Sequence, residues 1–450
     1  MLTELKIGDF LLRKKVPVKI LPDEEYSLVT IKLYHKGVIL REKKKGSLLG
    51  SNMYRVSAGD FILSGIDARN GAFGIVSEEL EGAIVTNDFW YFDVDESKVK
   101  RDFFYWLTTT PLFLDACQKS SKGETQRIRL QKNLFNEFVF HFPPVEEQDS
   151  FLQSFGSIDK SLSTLKKETT NQSTYLTKLR QAILQEAIEG KLTADWRKEN
   201  PVCKGDPDYD AQALLEKIKA EKEKLIQEGK IKKQKPLAPI KAEEVPFDLP
   251  EGWVWTRLGE ISEIKGGKRV ANGYKLLKEP TPHIYIRVSD MKNGTIDESD
   301  IHYIDEQMFQ KIKQYTISKD DLYMTIVGAT IGKCGLVPEK FDNMNLTENA
   351  AKIIIHKVNK KHLLQLLSSP FCQNQFVDKT KQVGVQKMAL NRFSTTNISL
   401  PPLSEQQAIV DRVEKLLSMV DDLEKQVSER KEQAEQLMQA VLREAFEGES

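Results

Sequence analysis

Cysteine is scarce in this chain, and Cys117, Cys203, Cys334 and Cys372 stand singly with no C-x-x-C pair. Isolated thiols make neither a disulfide framework nor a zinc site, and they fit a reduced cytoplasmic setting. The six histidines include no H-E-x-x-H pair, which excludes the helix-borne zinc site of metalloproteases. No G-x-x-x-x-G-K-[ST] phosphate loop is present, and Lys265-Gly266-Gly267-Lys268 lacks its spacing. No G-x-G-x-x-G turn opens a βαβ unit. No apolar run approaches the ~18 residues of a membrane span, and the first residues carry no signal-peptide core. Net charge is missing too, since 66 Lys and Arg balance 66 Asp and Glu. Any basic surface must therefore be local and offset elsewhere.

What is present is a globular composition, 40% hydrophobic and 29% charged, over 450 residues, too many for one ordinary core. The strongest pattern is internal repetition. Pro143-Pro144-Val145-Glu146-Glu147-Gln148 and Pro401-Pro402-Leu403-Ser404-Glu405-Gln406 match at an offset of 258 residues. Leu179 to Gly190 (LRQAILQEAIEG) and Leu437 to Gly448 (LMQAVLREAFEG) match at the same offset, with no insertion between. That period is far too long for a solenoid and describes a two-fold duplication.

The globules upstream of these segments repeat as well. Ile7-Gly8-Asp9-Phe10 corresponds to Leu258-Gly259-Glu260-Ile261, and a strand from Leu28 to Leu33 to one at His283 onward. Ser57 to Val76 aligns with Ser318 to Val337 at an offset of 261, pairing Asp60 with Asp321, Gly71 with Gly332 and Gly74 with Gly335. The offset returns to 258 by Phe135 and Phe393, so the first copy carries three extra residues, assigned to the loop around Gly123. Arg41 to Gly46 reads as a basic loop. Val94 to Cys117, broken at Pro111, and Lys361 to Phe376 read as helical. The fold class expected is α+β, two similar mixed globules each followed by a long helix.

Those long helices carry a/d spacing. In the first the seam is Phe155, Ile158, Leu162, Leu165, Leu176, Leu179 and Ile183, interrupted by Thr169 and Gln172. In the second it is Ile409, Val413, Leu416, Val420, Leu423, Val427, Ala434, Leu437 and Val441, with Arg430 the charged member. Ser404 with Gln407 suggests a capping box, and Gly190 and Gly448 suit C-terminal caps. Some 40 residues make a rod of roughly 60 Å. An apolar stripe this narrow is hidden most simply by antiparallel pairing of the two copies as a coiled coil; the alternative is that each helix packs on its own globule. Residues 193–250 form a linker with a charged helix from Ala211 to Glu228, the basic stretch Lys230 to Lys235, and Pro236, Pro239, Pro246 and Pro250. The basic stretch reads as solvated linker, with DNA contact the alternative.

No catalytic constellation convinces. Asn200-Pro201-Val202-Cys203 lacks the second proline and aromatic of the N-P-P-[YF] loop that grips adenine in amino-methyltransferases. Pro22-Asp23 with Glu42-x-Lys44 matches a PD-(D/E)xK pattern only formally, because Glu42 falls in a lysine-rich run. Above that noise rise polar and basic loops at equivalent places in both halves. Lys32, Tyr34 and Lys36 answer Ser289, Lys292 and Asn293; Arg69 and Asn70 answer Thr330 and Lys333. Thr125, Gln126, Arg127 and Arg129 answer Gln386 and Lys387, and Lys43 and Lys44 add charge. Amides and guanidinium groups of this kind read base edges, and cations seat phosphates. An ordinary solvated loop would also carry such residues.

The layout resembles the specificity subunits of type I restriction-modification systems over nearly the whole chain. Leu249-Pro250-Glu251-Gly252-Trp253 through Ile261 is similar to that family's lead-in to a recognition domain. Pro-Pro-x-x-Glu-Gln at Pro143 and Pro401 is similar to its lead-in to a spacer helix, and Gly190-Lys191-Leu192-Thr193 with Asp195-Trp196-Arg197 to its exit. The first domain lacks the LPEGW-type lead-in. The resemblance implies target recognition domains at 1–142 and 251–400, spacer helices at 143–192 and 401–450, and a linker at 193–250. It also implies a non-catalytic, cytoplasmic DNA reader in phage defence, binding no cofactor itself. Its partners are two methyltransferase subunits using S-adenosylmethionine and restriction subunits using ATP and magnesium, on a bipartite asymmetric double-stranded target. A self-contained nuclease or methyltransferase, and a scaffold that binds only proteins, are the competing classes.

Overall fold

The computed structural model describes residues 2–50, 52–123, 128–381 and 388–447. The chain divides into two compact units, Met1–Asn171 with Gln426–Ser450, and Gln172–Lys425. Each is mixed α and β, and each repeats the other's plan.

A strand at the start of each globule pairs antiparallel with a strand at its end. Thr3–Lys6 runs against Val139–Phe142, and Val254–Arg257 against Asn397–Leu400. A one-turn helix follows, Ile7–Phe10 or Leu258–Ile261, and its apolar residues are buried in both cases. Next comes a four-stranded antiparallel sheet. Its spatial order is Leu11–Lys14, Phe89–Val94, Phe61–Ser64, Phe73–Ile75 in the first unit and Ser262–Gly266, Ala350–Ile355, Leu322–Thr325, Cys334–Leu336 in the second. The matched aspartates close the turn into this sheet. Asp60 accepts from the Ser57 amide at 2.9 Å, and Asp321 from the Ser318 amide at 2.9 Å.

The two cores differ in chemistry at similar positions. The first is built of phenylalanine rings meeting edge to face, Phe61 on Phe104 at 4.9 Å and Phe73 on Phe113 at 4.8 Å. The second uses Leu322, Met324, Ile353, Leu363 and Leu366, joined by Phe376 and Phe393. Each large side chain so buried contributes roughly 1.5–3 kcal/mol. Apolar character, not identity, is what the duplication keeps.

The helix expected from Val94 begins later. Phe89–Val94 is a central strand, and the helices are Arg101–Thr108 and Pro111–Lys119. The second unit breaks at the same place, giving Lys360–Ser368 and Pro370–Lys381. Proline cannot donate an amide, and at the first position of a new helix none is needed. The basic run is corrected too. Val38–Lys45 is an edge strand paired with Glu25–Ile31, so Lys43 and Lys44 lie on a sheet edge and not in a loop. Lysines there deter further strand pairing.

The repeated Pro-Pro-x-x-Glu-Gln segment has a structural cause. Gln148 donates to the Pro143 carbonyl at 2.9 Å and accepts from the Lys100 amide at 2.8 Å. Gln406 donates to the Pro401 carbonyl at 2.9 Å and accepts from the Asn359 amide at 2.8 Å. Both side chains are fully buried. Each therefore ties the start of a long helix to the N-terminal cap of an earlier helix of its own unit, Arg101–Thr108 or Lys360–Ser368. Ser404 forms no capping box, because the helix already begins at Leu403; Gln406 holds that end instead.

The long helices are Val145–Ile188 and Leu403–Glu447. Within the first unit Phe155 stacks on Phe103 and meets Phe446 at 6.4 Å, in a cluster with Leu162, Met438 and Leu442. Within the second unit Arg180 binds Glu424 at 3.0 Å and also Asp421. Early residues of one helix meet late residues of the other, which is antiparallel pairing. Both readings of the stripe hold in part, since Phe155 also lies 5.5 Å from Trp106 of its own globule. Phe155, Leu162, Thr169, Leu176 and Ile183, seven apart, are all buried. Thr169 is thus a seam residue, with its hydroxyl returned to the Leu165 carbonyl at 3.0 Å. Both helices depart from the expected seam: Leu179 and Leu423 are each 44% exposed, and Leu437 is 56% exposed while its neighbour Met438 is buried. Gly190 ends the first helix at φ +72, the left-handed cap conformation. Gly448 lies outside the described residues.

Candidate functional site

In the first unit two of the expected loops are brought together. Lys32 to Lys36 is the turn between Glu25–Ile31 and Val38–Lys45, with Tyr34, His35 and Gly37 at positive φ. The Tyr34 amide donates to the Asn70 carbonyl at 2.9 Å, and the His35 amide to the Gly71 carbonyl at 3.0 Å. This seats the hairpin turn directly on the Arg69–Asn70 turn. The His35 ring lies edge-on to Phe73 at 4.8 Å, and burial lowers its pKa. Lys32, Tyr34, Lys36 and Asn70 are exposed, Tyr34 at 72%. Neither Lys32 nor Lys36 has an ion-pair partner among the described residues. Arg69 Nε is buried with no acceptor there.

Other expected residues are placed apart. Arg129 bonds Asp88 at 2.9 Å, and the next amide, of Leu130, donates to the Gly65 carbonyl. Lys44 bonds Glu42 at 3.1 Å along the edge strand. Thr125, Gln126, Arg127, Gln386 and Lys387 lie outside the described residues.

In the second unit Ser289, Lys292, Asn293, Thr330 and Lys333 line one cleft of about 740 Å³, with Met291, Tyr323 and Gln373. Asn293 and Gly294, both at positive φ, turn the hairpin between Met291–Lys292 and Thr295–Ile296, the two-residue type that Asn-Gly favours. The Leu336 amide donates to the Gly294 carbonyl at 2.8 Å, fastening the hairpin to the sheet. A Cβ on Gly335 would come within 2.5 Å of Gly294 and 2.3 Å of the Tyr323 ring, so only glycine permits this approach. Asp297 bonds Lys292 at 2.6 Å and raises its pKa; that lysine and Ser299 hold Asp297 down to about 2. Lys333 is exposed and has no ion-pair partner among the described residues. Tyr323 donates to the Thr295 carbonyl at 2.8 Å, and burial pushes its phenol up.

Two residues missed in the sequence hold these turns. Gln118 donates to the Arg69 carbonyl at 3.2 Å, and Gln373 to the Gly332 carbonyl at 3.0 Å. Each comes from the helix that follows the proline break. They stand seven residues after Pro111 and three after Pro370, about one helical turn apart, so no aligned identity marks them.

A third site joins the duplicated motif to the linker. Glu405, 1% exposed, accepts from Thr193 Oγ1 at 2.7 Å, Arg197 Nη1 at 2.5 Å and Trp253 Nε1 at 2.7 Å. Arg197 also donates to the Gly190 carbonyl at 2.6 Å. Its counterpart Glu147 is exposed. Asn200 gives its amide to the Trp196 carbonyl at 2.9 Å, a helix cap and not an adenine grip. Among the described residues no group of three or more His, Cys, Asp or Glu could hold a metal, and no helix is long and apolar enough to cross a membrane.

The surfaces so built offer amide, hydroxyl and ammonium groups on rigid turns, chemistry suited to base edges and phosphates. The family model for the type I restriction modification DNA specificity domain matches residues 3–173 and again 250–433. The chain belongs to this family. Membership places it among the recognition chains of such systems, not the catalytic ones. Similar curated proteins are the type I restriction enzyme EcoBI and EcoAI specificity subunits of Escherichia coli, 26% and 27% identical. The matches cover 82% and 72% of this chain but 70% and 61% of those proteins. A chain from a structure of a type I R-M system, solved for its assembly and conformational transition, superposes with a TM-score of 0.71. It is 15% identical, and the match covers 99% of this chain and 97% of that one. That likeness is one of fold.

Proposed function

We propose that this chain reads a bipartite, asymmetric sequence in double-stranded DNA for a type I restriction-modification complex. Residues 1–142 and 251–400 each read one half-site, and the heptad seam of the helices at 143–192 and 401–450 sets the gap. In the first reader the proposed contacts are Lys32, Tyr34, Lys36, Arg69 and Asn70, together with Lys43, Lys44, Thr125, Gln126, Arg127 and Arg129. In the second they are Ser289, Lys292, Asn293, Thr330 and Lys333, with Gln386 and Lys387. The observation that carries this reading is a polar hairpin beside a second turn whose carbonyl a helix glutamine grips; the hairpin is bonded to that turn in the first unit and shares a cleft with it in the second.

Two methyltransferase subunits carrying S-adenosylmethionine dock on the helices and methylate one adenine per half-site. Restriction subunits using ATP and magnesium add cleavage. This chain supplies the address and no chemistry.

Mapping methylated bases across the host genome, with and without this chain, tests the proposal. One split motif with a constant gap, present only with the chain, is expected. An active system whose methylation is unchanged by loss of the chain contradicts it. Cutting or methyl transfer by the purified chain alone would favour the enzyme reading.

A further inference from the structure

The basic stretch of the linker is held more firmly than a solvated tether requires. Its front end is the cap of helix Ala211–Gln227, where Gly229 takes φ +69 and the Lys230 amide donates to the Leu225 carbonyl at 2.9 Å. Its back end is pinned by Arg257, 7% exposed, which donates to the Ala238 and Pro239 carbonyls, each at 3.2 Å. Leu237 sits against Gly259, so closely that a Cβ there would lie 3.0 Å from its Cδ1. Both ends of a short span are therefore fastened to the same unit.

Between the fastenings lie Lys232, Lys233 and Lys235, all exposed and with no ion-pair partner among the described residues. From Lys230 to Lys241 there is no acidic residue. The span borders a cleft of about 360 Å³ lined by Lys219, Lys222, Lys232 and Lys235 against Glu223 and Glu260, and Glu260 is already paired with Lys219 at 3.1 Å. Lys222 points inward, giving its ammonium to the Gly259, Glu260 and Ser262 carbonyls at 2.8, 3.3 and 3.1 Å. It adds positive field without being free to pair elsewhere. In a chain of zero net charge, this is a local surplus presented at little ordering cost.

We infer that this anchored lysine span is a phosphate-contacting site, holding the DNA backbone independently of sequence. It rests on the DNA-reading function above and adds to it a contact outside the two readers. Lysine acts on phosphate as a point charge, which positions the duplex but carries no base information.

The test uses the full chain assembled with the methyltransferase of its system, and binding to target and random duplexes titrated with salt. Each phosphate neutralised steepens log K against log salt by about 0.9. Replacing Lys232, Lys233 and Lys235 together by glutamine is expected to flatten that slope by roughly 1 to 3. Target and random DNA should weaken by the same factor, so their ratio stays constant. The three arginine replacements should restore the slope. An unchanged slope in the glutamine variant, with folding intact by native-state hydrogen exchange, overturns the inference. So does normal DNA binding with loss of the methyltransferase from the complex, which assigns the span to an acidic protein face. Absence of any salt-dependent binding in the unmodified complex would instead overturn the DNA-reading function itself.

Discussion

Replacing Gln148 by leucine, and separately Gln406, makes a matched experiment that the duplication supplies. Each substitution removes a donor from a proline carbonyl and an acceptor from a backbone amide, Lys100 in one unit and Asn359 in the other. The side chains are 0% exposed, so water cannot replace either partner. Leaving a buried polar group unpaired costs roughly 1–3 kcal/mol, and two such groups give roughly 2–6 kcal/mol. The added apolar volume of leucine offsets about 1 kcal/mol of that. A chain with two compact units need not melt in one step, so a single Tm is the wrong readout. Native-state hydrogen exchange resolves the units. Gln148→Leu should accelerate exchange at Lys100 and around Arg101–Thr108, and Gln406→Leu at Asn359 and around Lys360–Ser368. A loss below about 0.5 kcal/mol in both variants, or unchanged protection at Lys100 and Asn359, would show that neither glutamine holds its helix start.

Glu405→Ala strands the Arg197 guanidinium and the Trp253 indole, at a cost of about 3–5 kcal/mol by denaturant titration, whereas Glu147→Ala should stay within about 0.5 kcal/mol. His362 is buried with neither ring nitrogen bonded among the described residues, and burial lowers its pKa to about 3. The unfolded chain, titrating near 6.5, takes up the proton first as pH falls, so this contribution is intact above about pH 6.5 and is lost progressively toward pH 3. At pH 5 the loss is about 2 kcal/mol, and His362→Leu should flatten the stability profile between pH 5 and 7. Lys333→Ala should weaken DNA binding, and Gln373→Leu, by freeing the turn at Gly332, should relax discrimination at one half-site by about ten-fold with little change for random DNA. Equal loss on target and random DNA for Gln373→Leu would reduce it to a structural residue.

Much of the plan was legible because it is written twice. Asp60 with Asp321 and Gln148 with Gln406 stand at matched positions because each pair performs one backbone task that tolerates few substitutes. The heptad spacing of Phe155, Leu162, Leu176 and Ile183 was legible for the same reason, a repeated geometric demand. Lys43 and Lys44 misled because lysine favours exposure, and an edge strand exposes side chains as a loop does. Met438 is buried where Leu437 was expected, since two adjacent apolar residues near a helix end satisfy the same spacing. Gln118 and Gln373 stayed hidden because they reach one target from different turns of a helix. Glu405 and Glu147 share a motif but not an environment, since Thr193, Arg197 and Trp253 converge only on the former. That convergence is tertiary and has no local signature.

The central claim is that each half of the chain reads one half-site on its own. It is tested most directly by exchanging residues 251–400 for the corresponding segment of another family member and mapping methylated bases genome-wide. A motif with one half replaced, the other half intact and the gap unchanged is expected. A motif altered in both halves, or unaltered in either, would contradict it.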